Sequence, residues 1–120
     1  MKNLPDIRSQ LTTKGLFDAF KMQLIKDFNQ SNFPSDFVTA LEPDYASIHE
    51  KIVDQLQRTE KSDFSLSRLL NRIDISDAQL KRYLNEHKSE SRFNVIAELI
   101  IKRVLQKVVI KQHYKSKENS

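Results

Sequence analysis

Glycine is almost missing from this 120-residue chain, with Gly15 the only one. Average usage of about 7% would give roughly eight. Phosphate-cradling loops and dinucleotide-binding turns need several glycines for sharp bends and close backbone approach, so both are excluded. Tight hairpins lose their usual turn residue too. Cysteine is absent, which removes disulfides, thiolate zinc sites and cysteine nucleophiles and fits a reducing cytoplasm, the expected location. Tryptophan is also absent, leaving seven phenylalanines as the main large packing units. No stretch reaches ~18 consecutive uncharged apolar residues, so no membrane-spanning helix is expected. Residues 1–14 place no apolar run behind their charges, so no secretory signal is expected.

What remains favours helices joined by short polar connections. The length suits one domain with its own core, spanning 1–115, with a possible sub-boundary at 59–63 and a frayed tail at 116–120. The pattern predicts an all-α fold, a compact bundle of four to six helices with a hydrophobic C-terminal helix. Leu16, Phe17, Phe20, Leu24 and Phe28 recur at three- and four-residue spacing, the mark of an amphipathic helix over about 13–29, with Thr13 a candidate N-cap. Ser35 is a candidate cap for a short helix over 36–41. Pro43 breaks the chain and can open a helix reaching about Arg58. Ser65 is a candidate cap for a helix carrying Leu66, Leu69, Leu70 and Ile73. Ser76 and Gln79 form a capping-box pattern ahead of a helix over about 77–86. Phe33 stands beside Pro34 in a loop, either as a contact residue or folded back under the helix ends.

The last predicted helix, about Arg92–Gln112, is both apolar and basic. Twelve of the 20 residues from Arg92 to Lys111 are apolar. Phe93, Ala97, Ile100, Val104 and Val108 form one buried line. Val95, Leu99, Val109 and Ile110 fall on the opposite arc. A helix apolar on more than one side is either central to its bundle or half of an interface, so these four are the candidate partner-contact residues.

Charge divides unevenly. Residues 1–60 carry 7 basic and 9 acidic groups, and residues 61–120 carry 13 basic and 7 acidic. A basic half suits an anionic partner, and it also simply keeps a protein soluble. Residues 64–85 have the parts of a helix-turn-helix unit, with Asp77, Gln79, Lys81, Arg82 and Asn85 predicted outward. Gln, Arg and Asn suit base edges and Lys suits phosphate. Against this, the connection Asn71–Ile75 lacks glycine and reads long. Any helical bundle also contains two consecutive amphipathic helices. Arg103, Lys107 and Lys111 step by four along one edge and form a second candidate nucleic-acid surface. The plain alternative is a solvated face whose cations complement the helix dipole.

Catalytic patterns are missing. His49, His87 and His113 are dispersed, and none has a second histidine at ligand spacing. The pairs Glu50/Asp54 and Glu42/Asp44 read as surface charge. No metal or cofactor is expected. The sequence therefore points to a non-enzymatic helical interaction module, binding a protein partner or its own copy through the C-terminal helix. The alternative is a nucleic-acid-binding domain using residues 64–85 and the basic C-terminal helix.

Overall fold

A computed structural model describes residues 10–11, 14–59 and 63–118, with side chains outside 14, 63–65 and 113–118. Among these residues the chain is all-helical. Five α-helices follow in order: α1 (Lys14–Gln30), α2 (Tyr45–Arg58), α3 (Asp63–Ile73), α4 (Asp77–Glu86) and α5 (Arg92–Glu118), with a 3-10 turn at Asp36–Ala40 between α1 and α2. The expected cap at Thr13 lies outside the described residues.

α5 is the axis. It packs against α1, α2, α3 and α4, and α1 packs additionally on α3 and the 3-10 turn. Its first four turns are enclosed nearly all round. Val95, Ile96, Ala97, Ile100, Ile101 and Val104 are fully buried, and Leu99 and Leu105 nearly so. That decides between the two explanations of its two-sided apolar character, because a helix surrounded by others needs apolar residues on every arc. Beyond Val108 the helix emerges, and Ile110, Lys111 and Gln112 are exposed. The helix runs six residues past its expected end, to Glu118, into the stretch 116–120 read as a frayed tail. Val108-Val109-Ile110 weakens helix propensity by only tenths of a kcal/mol per residue, and neither Gly nor Pro follows to stop it.

The buried apolar residues form one cluster that includes Phe20, Leu24 and Ile52 before residues 60–62 and Leu69, Ile73 and Ile100 after them. Among the described residues, side chains from both sides of 60–62 thus share one cluster.

Two helices end alike, and here the scarcity of glycine is solved. Asn32 and Asp74 hold positive φ, 63° and 73°. After α1, Asn32 N–H donates to Asn29 O and Phe33 N–H to Phe28 O. After α3, Asp74 N–H donates to Asn71 O and Ile75 N–H to Leu70 O. Both are Schellman caps, which satisfy the orphan carbonyls of the last turn and set a hydrophobic residue back on the helix. Phe33 accordingly folds back, 3% exposed, its ring 5.7 Å from Phe28 edge-on. Asn and Asp are the residues besides glycine that visit this region most readily. Replacing the exposed Asn32 by alanine should lower stability by about 1 kcal/mol, and Asn32→Gly should not lower it. Urea unfolding of both variants checks this, and an Asn32→Ala protein as stable as the parent would refute it.

Three expected helix starts differ. Ser35 makes no cap bond, and its hydroxyl donates instead to Asn29 Oδ1 at 2.7 Å. Pro43 lies outside α2, whose N-cap is Asp44, accepting from Ser47 N–H at 2.9 Å. Ser65 falls inside α3, which begins at Asp63. At α2 the Asp44 carboxylate is the group that meets the free N–H donors.

Candidate nucleic-acid interface

The α3–α4 unit is tighter than the sequence suggested. Asn71–Ile73 are helical, so the connection is only Asp74-Ile75-Ser76. Three to four residues is the usual span of a helix-turn-helix connection, often with glycine. Asp74 takes the left-handed position that glycine would fill. Ile75 anchors the turn, 3% exposed. Ser76 then caps α4, its Oγ accepting from Gln79 N–H at 3.1 Å.

α4 has no buried residue. It rests on α5 through the half-buried Leu80 and Tyr83. Tyr83 Oη accepts from Lys102 Nζ at 3.1 Å. The ammonium lies 5.1 Å from the Tyr83 ring centroid and 3.1 Å from Glu98 Oε2. Burial alone would lower the Lys102 pKa, but the bonds to Tyr83 and Glu98 outweigh it and hold the group above its ordinary value. Lys102 thus stays charged and fastens α4 to the axis. Tyr83 also stacks on His87, whose Nδ1 lies 3.2 Å from Glu90 Oε2.

Half of the α4 circumference is left to solvent. Asp77, Ala78, Lys81, Arg82, Asn85 and Glu86 are exposed, and at 100° per residue they occupy one continuous arc of about 180°. Gln79, expected outward, falls off this arc and is half-buried. Among the described residues Lys81, Arg82 and Asn85 have no side-chain partner. The same holds for three cations that sequence reasoning did not single out: Arg72, at the end of α3, and Lys88 and Arg92, just past α4. Spacing gave them no distinction. They are unpaired, as Lys26 and Lys51 on other helices also are, and a linear pattern does not display pairing.

The basic edge of α5 is a different case. Arg103 Nη1 donates to Gln106 Oε1 at 2.7 Å, and its Nη2 lies 3.6 Å from Asp74 Oδ2, while its Nε is buried without a partner. Lys107 Nζ donates to Asp27 Oδ2 at 3.0 Å and to Arg72 O at 3.4 Å. Lys111 Nζ donates to Gln23 Oε1 at 2.6 Å. As a phosphate-binding stripe these three are therefore corrected. They tie α5 to α1 and to the α3–α4 turn, and using them for an external anion would break internal bonds. Nor is the edge a purely solvated face, since Lys107 is only 17% exposed.

The candidate partner-contact set also divides. Val95 and Leu99 are 0% and 2% exposed, held inside the chain, and are withdrawn as contacts. Val109 is half-buried and Ile110 is 45% exposed. Met22 on α1, at 72%, is the other large exposed apolar side chain among the described residues.

His49 lines a groove of ≈ 480 Å³ with Glu50, Asp54 and Asn94. Its Nε2 lies 2.9 Å from the Asn94 carbonyl. A carbonyl only accepts, so that nitrogen carries the proton. No group of three His, Cys, Asp or Glu with metal-holding geometry occurs among the described residues. No helix among them is long and apolar enough to cross a membrane.

No protein-family model, curated protein or solved structure matches the chain.

Proposed function

We propose that the protein is a non-enzymatic binding module that engages nucleic acid through the α3–α4 unit. One observation carries the reading. α4 follows a three-residue turn, buries no residue, and turns outward an arc on which Lys81, Arg82 and Asn85 are unpartnered. Polar side chains held out on a helix by a rigid turn are what a groove-reading element requires. The unpaired Arg72, Lys88 and Arg92 flank that helix in sequence and add attraction for phosphate. Asp77 opposes phosphate but favours the α4 N-terminus through the helix dipole.

Phosphate contact has a salt signature. If three to five of these cations displace counterions, log K should fall against log salt with a slope of about −2.7 to −4.5. A mobility-shift titration of a random-sequence duplex at several salt concentrations measures it. No binding to any duplex at low salt would sink the proposal.

A second reading, contact with a protein or a second copy through the end of α5, keeps one observation, the exposure of Ile110. A single exposed apolar residue is ordinary, so this reading ranks lower. It expects association by light scattering that Ile110→Lys abolishes. A parent chain that stays monomeric and captures no helical partner would remove it.

A further inference from the structure

The arc of α4 carries more than charge. Ala78 and Asn85 are seven residues apart, two helical turns, and so lie almost on one line about 10.5 Å long. Lys81 and Arg82 occupy the intervening turn, one on each side of that line. All four are exposed. Lys81, Arg82 and Asn85 have no partner among the described residues, so their polar groups are free without breaking an internal bond. The length matches about three base steps of 3.4 Å.

The residue types along this ridge are chemically distinct readers. A guanidinium donates in a fork to guanine O6 and N7. A carboxamide bonds adenine N6 and N7 in both directions. A small methyl packs on the thymine methyl. Lys81 is a flexible point charge suited to phosphate or a second guanine. A purely electrostatic surface needs only cations. Here a carboxamide and a methyl sit at the middle of the arc, with cations beside them and the carboxylates of Asp77 and Glu86 at its two edges.

Resting on the nucleic-acid reading above, we propose that α4 reads the major groove of B-form DNA over a core of three to four base pairs. Arg82 selects guanine, Asn85 selects adenine, and Ala78 touches a thymine methyl. The narrow major groove of an RNA duplex does not admit such a helix, so RNA duplexes are bound without this preference.

The test is selection of the full chain on a random duplex DNA library, repeated with Arg82→Ala and Asn85→Ala. Both positions are exposed, and unchanged thermal melting verifies that the variants fold. The parent should enrich a short core containing guanine and adenine. Arg82→Ala should lose the guanine preference and Asn85→Ala the adenine preference, each by about 5- to 150-fold against the mismatched base. Uracil in place of the selected thymine, which deletes only the methyl, should weaken binding about fourfold.

Outcomes separate the two levels of the proposal. Salt-dependent duplex binding with no enriched core would overturn base reading and leave nucleic-acid binding standing. A core that survives both substitutions, or that is equally preferred in RNA duplexes, would also overturn it. No duplex binding at all would remove both.

Discussion

Lys107→Met should cost about 3–5 kcal/mol of folding stability. Asp27 is 1% exposed. Its Oδ2 is met by Lys107 Nζ at 3.0 Å and its Oδ1 by Gln23 Nε2 at 3.1 Å. Removing the ammonium leaves a carboxylate sealed between α1 and α5 with one neutral donor, and an uncompensated buried charge is costly on this scale. Single domains hold about 5–15 kcal/mol in total, so the variant would approach the edge of folding. The double variant Asp27→Leu, Lys107→Met should recover most of the loss, since exchanging both ions for apolar groups is often neutral or better. Urea unfolding of the three proteins measures this. A loss under about 1 kcal/mol in the single variant would mean that the pair is solvated and weak. The double variant also tests function independently. If Lys107 belongs to the fold and not to a phosphate surface, the salt slope of duplex binding stays unchanged.

Leu99→Ala is the second large effect, about 2–5 kcal/mol, from truncating a side chain 2% exposed in an interior that repacks only partly. The same substitution at a surface contact would change association and leave stability within about 0.5 kcal/mol. Chemical denaturation beside light scattering distinguishes the two. A stable Leu99→Ala protein with altered association would restore Leu99 to an interface.

How far the sequence could be read follows from what each residue's role depends on. The helices were legible because periodicity is local. Leu66, Leu69, Leu70 and Ile73 announce α3, and Ser76 with Gln79 announces the start of α4. Which arc of α5 is covered depends on how many neighbours surround it, and no periodicity within α5 records that. Val95 and Leu99 were placed outside for this reason. The same limit hid the partners of Arg103, Lys107 and Lys111. Asp27 lies 80 residues from Lys107, so a cation stepping by four looks identical whether it faces water or a buried carboxylate. At the candidate interface, Lys81, Arg82 and Asn85 were legible because a capped amphipathic helix has one outward side. Gln79 was misplaced because its position borders the packed face. The turn read as too long because Asp74 carries no sequence mark of left-handed backbone.

The axial position of α5 bears on how the chain comes together in time. The helix on which α1, α2, α3 and α4 all rest is the last of the five to be synthesised. At about 5–20 residues per second, its 27 residues take roughly 1–5 s to make. Through that interval the faces of α1 and α2 that rest on α5 stay uncovered, and α3 and α4, with 11 and 10 residues, are too short to persist alone in water. Assembly therefore waits on α5, and the nascent chain carries its apolar faces uncovered until that helix arrives.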